Sequence, residues 1–193
     1  MPITKNIARI NDLNGNFIKD FIESGKKIFG EDMLRSVESC VQCGCCTGGC
    51  PSSRRTALRT RKLFREMFLG FKESVLGGDD LWLCTTCYTC YERCPRGVKT
   101  TDIIKVLRNM AVRQGYMAEA HRMTASYVFK TGHGVPANEE VQKLRVELGL
   151  DSLPPTTHSY PEALKSVQEI LKLTGFDEIV GFDWKTMELR RKE

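Results

Sequence analysis

Two cysteine-rich stretches share one spacing, and this repeat constrains the chain more than any other feature. The first reads CVQCGCCTGGCP (residues 40–51) and the second reads CTTCYTCYERCP (residues 84–95). Once Cys45 is set aside, both follow the pattern C-x2-C-x2-C-x3-C-P. Thiols gathered at short, fixed intervals are typical of ligands for a thiophilic metal.

The spacing is that of [4Fe–4S] cluster ligands. Three cysteines in C-x2-C-x2-C can surround one cube, and in two-cluster proteins the fourth cysteine binds the other cube. The sequence therefore predicts two [4Fe–4S] clusters with crossed ligands. The predicted cofactor and metal ligands are Cys40, Cys43, Cys46 and Cys94 for the first cluster, and Cys84, Cys87, Cys90 and Cys50 for the second.

Two other uses of the cysteines fit less well. Structural zinc takes two C-x2-C pairs, which leaves the third and fourth cysteines and the repeated proline unexplained. Disulfides are disfavoured by the odd total of nine cysteines and by the reducing cytosol.

Three residues of the motifs have an open role. Cys45 is interpreted as a small buried packing residue, with a redox thiol or a ligand of an altered cluster as the alternatives. Tyr88 and Tyr91 either shield the second cluster from water or simply pack beside it.

The overall composition is that of an ordinary folded protein. With 193 residues, of which 41% are hydrophobic and 27% charged, the chain suits one medium domain or a small core with extensions. No stretch approaches the ~20 apolar residues that span a bilayer, and the N-terminal MPITKNIARINDLNG has no apolar signal segment. We therefore predict a cytoplasmic protein that does not associate with a membrane.

The hydrophobic pattern predicts a mainly α fold. Helical periodicity marks segments at residues 16–30, 52–71, 100–115, 138–149 and 160–175. In the first of these, Phe17, Phe21 and Ile28 share one face. Residues 1–15 are expected to form an extended arm, and EIVGFDW (178–184) is the one short segment that resembles a strand.

These patterns divide the chain into three predicted parts. Residues 1–34 form an N-terminal arm and helix, residues 35–116 form the two-cluster core, and residues 117–193 form a helical C-terminal extension.

The charge of the chain does not indicate a polyanion-binding protein. The formal net charge is +5, but thiolate-bound clusters would bring negative charge. The basic run RRTALRTRKLFR (54–65) is best interpreted as a solvated helix face, with docking to an acidic partner as the second interpretation. Nucleic acid comes third, because the run lacks interleaved aromatic residues for stacking, and none is predicted as a partner.

Motifs for substrate chemistry are missing from the sequence. It has no Gly-rich dinucleotide fingerprint, phosphate loop or nucleophile elbow. We therefore predict no catalytic residue, and a chain that carries electrons without a substrate site of its own.

The motifs also resemble a known family. CVQCGCCTGGCP, the helical insert that follows it, LWLCTTCYTCYERCPRGV and TTDIIKVLRNMAVRQG together resemble the two-cluster iron–sulfur subunit of methanogen CoB–CoM heterodisulfide reductases, most closely over residues 35–116. A similar helical two-cluster module occurs in the iron–sulfur subunits of succinate dehydrogenase, fumarate reductase and anaerobic glycerol-3-phosphate dehydrogenase.

The resemblance implies an α-helical ferredoxin-like core in a multi-subunit oxidoreductase. In this family, the two-cluster subunit passes electrons from a flavin-containing subunit to a catalytic subunit, whose CCG domains reduce the CoM-S-S-CoB heterodisulfide of methanogenesis. A hydrogenase or formate dehydrogenase is often attached. The alternatives are an electron-transfer subunit of a different oxidoreductase, a zinc-stabilised binding module, and a cluster-dependent sensor.

Overall fold

The computed structural model describes residues 13–190, so most of the arm predicted over residues 1–15 lies outside the described residues. The chain divides into two compact units, one ending at Tyr116 and the other beginning at Met117. Both are built mainly from helices, as the periodicity predicts. The three-part division at residues 34/35 and 116/117 stays a prediction.

The first unit contains seven helices within the described residues. They are α1 (Phe17–Phe29), α2 (Glu31–Arg35), α3 (Cys45–Gly48), α4 (Thr60–Phe68), α5 (Lys72–Gly77), α6 (Thr89–Glu92) and α7 (Thr100–Arg113). Short 3₁₀ turns lie at Ser36–Ser39, Ser52–Arg54 and Asp79–Leu83.

Helix α1 packs on α2 and α7 through its apolar face. Phe17 and Phe21 are fully buried there, and each buried phenylalanine contributes about 1.5–3 kcal/mol. The contact is so close at Gly25 that an added Cβ would lie 2.8 Å from Val106 Cγ2. Ile28 shares this face by helical spacing, but it lies in the last turn of the helix and is 77% exposed there.

The segment predicted as helical over residues 52–71 is interrupted. Residues 55–59 are not helical, and α4 begins only at Thr60. Side chains compete here for backbone carbonyls: Ser53 Oγ donates to the Leu58 carbonyl at 2.7 Å, and Arg59 Nη1 donates to the Thr56 carbonyl at 2.8 Å. Such local bonds replace helical ones. The break separates the first cysteine motif from the helix that follows it.

Up to residue 190, the second unit is a smaller helical body with one short hairpin. Its elements are α8 (Glu119–Thr131), α9 (Glu139–Glu147), α10 (Pro161–Leu173), α11 (Phe176–Val180), β1 (Phe182–Asp183) and β2 (Glu188–Leu189). The strands are antiparallel, with Phe182 opposite Leu189. The predicted strand over 178–184 is therefore mostly wrong, because its first residues end α11.

Aromatic packing explains why the hairpin closes on α8. Phe129 of α8 is fully buried, stacks on Phe182 at a centroid distance of 4.6 Å and meets Trp184 edge-on at 5.6 Å. Large buried aromatic rings dominate small cores of this kind. The apolar run that resembles a strand thus forms the end of α11 and the first strand of the hairpin.

Candidate iron–sulfur site

The two cysteine motifs fold into loops with the same backbone turns. In the first loop (residues 40–46), Gln42 and Gly44 have positive φ angles of 57° and 87°. In the second loop (residues 84–90), the equivalent residues Thr86 and Tyr88 have φ angles of 51° and 61°. Non-glycine residues seldom adopt this conformation, and it is often found where a functional site constrains the backbone. The repeat seen in the sequence is therefore also a repeat in conformation.

Each loop continues into a single helical turn that presents the fourth cysteine. Helix α3 follows Gly44 and α6 follows Tyr88. The Cys50 amide then donates to the Thr47 carbonyl at 3.3 Å, and the Cys94 amide donates to the Tyr91 carbonyl at 3.4 Å. The prolines that follow cannot continue this pattern, because they lack an N–H group.

The fourth cysteine of the second motif lies beside the first loop. One small cavity, partly open to solvent, is lined by the sulfur-bearing residues Cys40, Cys43, Cys46 and Cys94. These four residues are the set that the sequence predicts for the first cluster. Cys45 also lines this cavity.

The fourth cysteine of the first motif lies beside the second loop. Burial raises the pKa of both Cys84 and Cys90, and the nearby Cys50 sulfur raises each of them further. The Cys87 sulfur also raises the pKa of Cys84 and of Cys90 through electrostatic repulsion. The Cys50 and Cys87 sulfurs are thus near enough to Cys84 and Cys90 to act on them electrostatically. The structure thus brings together Cys50, Cys84, Cys87 and Cys90, the set predicted for the second cluster.

Hydrogen bonds also connect the end of each motif to the start of the other. Ser52, which follows Cys50, donates its hydroxyl to the Leu83 carbonyl at 2.7 Å. In the opposite sense, the Lys99 amide donates to Ser36 Oγ at 3.1 Å, and Arg96 Nε donates to the Ser39 carbonyl at 3.4 Å. Each such bond contributes about 1 kcal/mol. The crossed arrangement of the cysteines is therefore supported by the surrounding backbone.

Backbone N–H groups donate hydrogen bonds to two of the sulfurs, as is common around iron–sulfur clusters. Thr86 N–H donates to Cys84 Sγ at 3.4 Å, and Val98 N–H donates to Cys94 Sγ at 3.3 Å. Hydrogen bonds to ligand sulfurs stabilise their negative charge and raise the reduction potential of a bound cluster. Thiols line a cavity and backbone amides donate to them, and this donor set fits [4Fe–4S] clusters.

Solvent exposure divides the thiols in the same way in both loops. Cys43 and Cys87, at equivalent positions, are exposed. A hydrogen bond with the Cys45 amide lowers the pKa of Cys43, and a hydrogen bond with the Thr89 hydroxyl lowers the pKa of Cys87. Cys46 lies deeper, and burial raises its pKa to about 11. Each loop therefore has one sulfur at the surface and one directed inward.

The interpretation of Cys45 as a buried packing residue is wrong. Its side chain is exposed, and its thiol interacts with Cys43, whose hydrogen bond raises the Cys45 pKa. Cys45 occupies the first position of α3 and lines the same cavity as Cys43, with its side chain accessible to solvent.

Arg108 is a site residue that the sequence pattern does not reveal. From α7 it donates to the Cys84 carbonyl at 2.6 Å and to the Leu81 carbonyl at 3.0 Å, and its guanidinium lies 5.5 Å from the centre of the Trp82 ring. Burial lowers its pKa, yet a guanidinium remains charged at neutral pH. A fixed positive charge thus lies beside the second loop. No spacing rule marks it, since Arg108 is 24 residues from Cys84.

Tyr88 was predicted either to shield the second cluster or to pack beside it. In the structure, the Tyr91 ring lies edge-on to the Tyr88 ring, with 5.6 Å between the ring centres. The Tyr88 hydroxyl donates to Asp102 Oδ1 at 3.1 Å. Lys105 bonds the same hydroxyl and also lies 3.2 Å from the Asp102 carboxylate. This network holds a non-glycine residue at the position that glycine occupies in the first loop.

Neither a site for a single metal ion nor a membrane-spanning helix occurs within residues 13–190. In that range, no three His, Cys, Asp or Glu side chains are grouped to hold a single metal ion. No helix of the same range is both long and apolar enough to cross a membrane.

Comparison with known proteins identifies the family. Residues 36–98 match the model of a 4Fe-4S dicluster domain, which spans both loops. The chain is 51% identical over 183 residues to a CoB–CoM heterodisulfide reductase iron-sulfur subunit of Methanopyrus kandleri, covering 95% of both chains. The chain belongs to this family of heterodisulfide reductase iron–sulfur subunits.

Other members of the family are similar to this chain at the same sequence identity. The chain is 51% identical to a CoB–CoM heterodisulfide reductase iron-sulfur subunit of Methanocaldococcus jannaschii over 95% of this chain and 98% of that one. It is also 51% identical to a subunit of the H2:CoB–CoM heterodisulfide,ferredoxin reductase of Methanothermobacter marburgensis, over 91% and 92% of the two chains. Family membership and the prediction of two [4Fe–4S] clusters are thus confirmed.

Proposed function

We propose that this protein is the electron-transfer subunit of a cytoplasmic heterodisulfide reductase complex. In this proposal the chain holds one [4Fe–4S] cluster with Cys40, Cys43, Cys46 and Cys94, and the other with Cys84, Cys87, Cys90 and Cys50. Its core is an α-helical ferredoxin-like module over residues 35–116. The chain has no catalytic residue of its own.

The observation that carries the proposal is the position of Cys94. It lines one cavity with the first loop, although it is 54 positions from Cys40 in the sequence. Its sulfur accepts a hydrogen bond from Val98 N–H, as the ligand sulfurs of iron–sulfur clusters do. This is the arrangement expected when the fourth cysteine of a two-cluster motif serves the other cluster.

The two predicted ligand sets also meet in the interior. Helix α3 contacts α6, and the Cys90 sulfur lies near enough to Cys46 to raise its pKa. The inward sulfurs of the two sets are therefore neighbours, while Cys43 and Cys87 are exposed. A chain with this order of sulfurs can accept an electron at one surface and deliver it at another.

The proposed partners follow from the family. Electrons come from a flavin-containing subunit and pass to a catalytic subunit with CCG domains, where the disulfide CoM-S-S-CoB takes up two electrons and two protons to give two thiols. Relatives are named as H2-dependent and H2/formate-dependent reductases, so an attached hydrogenase or formate dehydrogenase is part of the proposal. We expect a cytoplasmic setting, where thiols remain reduced.

Rapid-mixing spectroscopy of the purified chain with the other subunits of the complex tests this function. The chain is purified anaerobically, analysed for iron, reduced and mixed with a complex that lacks it. We expect about eight irons per chain, bleaching of the clusters on reduction, and heterodisulfide-dependent reoxidation only when the catalytic subunit is present. The isolated chain serves as the control and should not react with the heterodisulfide.

Three results would contradict the proposal. Zinc in place of iron after anaerobic purification would support a binding module instead. Reduction of the heterodisulfide by the isolated chain would show a substrate site. Co-purification with a quinone-reactive membrane protein would assign the chain to a different oxidoreductase.

A further inference from the structure

A basic groove lies directly beside the first cysteine loop. We define it by the residues that line it: Gln42, Thr47, Arg59, Arg61, Lys62 and Arg65. Its four cations are all exposed. Gln42 and Thr47 come from the loop and from α3, whereas Arg61 and the two cations after it belong to α4.

Close contacts join this basic groove to the predicted first cluster. The Arg61 amide donates to Thr47 Oγ1 at 2.9 Å, and an added Cβ at Gly44 would lie 3.6 Å from Arg61 Cδ. Gln42 Nε2 donates to Cys40 Sγ at 3.5 Å. Gln42 and Arg61 also line the cavity that contains Cys40 and Cys94. A molecule bound in the groove would thus touch the residues that surround the first set of sulfurs.

The positive charge of the groove is largely uncompensated. From residue 44 to residue 65 the sequence contains no aspartate or glutamate. Arg59 bonds backbone carbonyls only, and Lys62 lies 3.6 Å from Glu66 on α4. Arg61 and Arg65 form no ion pair with any residue in the described part of the chain.

Two cations near the second loop, Lys99 and Lys105, are different, because they have partners within the chain. Lys105 pairs with Asp102 and bonds the Tyr88 hydroxyl. Lys99 lies over the Tyr91 ring, 4.3 Å from its centre. These positive charges are already used to hold the second loop, whereas Arg61 and Arg65 at the first remain available to a partner.

We propose that the basic groove is the docking surface for an acidic face of a protein partner that exchanges electrons with the first cluster. This inference rests on the proposed function, since it assumes a cluster behind the groove. Guanidinium groups bind carboxylates in bidentate pairs, and an uncompensated basic surface speeds encounter with an acidic one. The groove has no aromatic lining for bases to stack on, which disfavours a single-stranded nucleic acid.

Charge-reversed variants test the docking surface in the holoprotein. The test variant is Lys62→Glu/Arg65→Glu, because both residues line the groove but neither lines the cysteine cavity. The matched control is Lys19→Glu/Lys27→Glu, which makes the same change of charge at exposed positions of α1. Each reduced holoprotein is mixed with the remaining subunits of the complex, and the rate of electron transfer is followed at about 50 and about 200 mM KCl.

We expect the test variant to slow second-order electron transfer by at least about 10-fold at low salt and to flatten its salt dependence. The control should retain the wild-type rate, and both should retain wild-type iron content and EPR spectra. Polyglutamate should inhibit the wild type and have little effect on the test variant.

Other outcomes separate this inference from the proposed function. Equal rates and equal salt dependence in all three proteins would overturn the docking surface while leaving the electron-transfer function intact. Binding of a DNA duplex or of anionic phosphatidylserine vesicles at about 200 mM KCl, lost in the test variant while partner rates are unchanged, would assign the groove to that ligand instead. A wild-type holoprotein that passes no electrons to any other subunit would refute the proposed function itself.

Discussion

The first and second cysteine loops have one backbone conformation but different surroundings. Both place residues of positive φ at the same two positions and both lead into one helical turn. Around the second loop, Arg108 and the Tyr88–Asp102–Lys105 network hold the backbone from α7. Around the first, glycine replaces tyrosine and the cations line an open groove. The cysteine spacing is thus duplicated, whereas the residues between and around the cysteines give each loop different surroundings.

Removal of the clusters should have the largest effect on both loops. Because each predicted cluster joins the two motifs, chelation of iron under anaerobic conditions should loosen the whole region between residues 36 and 98. Hydrogen exchange should show loss of protection in α3 and α6 together, with the unit from Met117 onward unchanged. Loss of protection in one loop alone would show that the loops are independent.

Substitution of Arg108 should affect the second cluster selectively. Arg108→Gln removes a fixed positive charge worth roughly 1–2 kcal/mol at an effective dielectric constant of about 20. The extra electron is then less stable, so the reduction potential should fall by about 40–90 mV. Redox titration monitored by EPR measures the shift, and Arg108→Lys, which keeps the charge, should recover part of it.

The matched substitution at the first loop sharpens this comparison. Arg61 is exposed, and solvent screens its charge. Arg61→Gln should therefore shift the potential of the first cluster less than Arg108→Gln shifts that of the second. Equal shifts, or a shift of both clusters by either variant, would show that the two surroundings do not differ electrostatically.

A β-carbon at Gly44 should destabilise the first loop. Its φ of 87° is unfavourable for an L-residue, so Gly44→Ala should lower the free energy of unfolding by about 1–2 kcal/mol. Gly48→Ala is the control, because Gly48 lies in α3 without a positive φ and with open space around it. Anaerobic denaturant unfolding of the two holoproteins distinguishes them, and equal stability would contradict the conformational explanation.

Loss of the Tyr88 hydroxyl should have the smallest effect. Tyr88→Phe keeps the ring but removes the bonds to Asp102 and Lys105, so it should cost about 1 kcal/mol of stability. Tyr127→Phe is a suitable control, since the Tyr127 hydroxyl has no hydrogen bond within residues 13–190. A larger loss in the control would refute the role assigned to the network.

The sequence was sufficient for the features that depend on local spacing. The cysteine pattern predicted the two-cluster domain, and the apolar period predicted α1 and α7, because thiolate spacing and helical periodicity are local properties. The break at residues 55–59 was not predictable in this way, since it depends on Ser53 and Arg59 bonding particular carbonyls. Arg108 was missed for a related reason: only the fold brings α7 to Cys84.

Other features of the two loops are also visible in the sequence. Alignment of the two motifs places Gln42 on Thr86 and Gly44 on Tyr88, and the glycine in that pair indicates a positive φ for both. The absence of acidic residues from 44 to 65 likewise marks the basic groove. Exposure of Cys45 could not be read from its position, because it depends on the direction in which α3 starts.

The most direct test of the crossed ligand sets is a comparison of two double variants. Cys40→Ala/Cys94→Ala removes two ligands from one cluster if the ligands cross, so one intact [4Fe–4S] cluster should remain in the EPR spectrum of the reduced protein. Cys84→Ala/Cys94→Ala then removes one ligand from each cluster, and neither intact signal should remain. The reverse result, an intact cluster in Cys84→Ala/Cys94→Ala and none in Cys40→Ala/Cys94→Ala, would show that each motif binds its own cluster and would contradict the crossed arrangement.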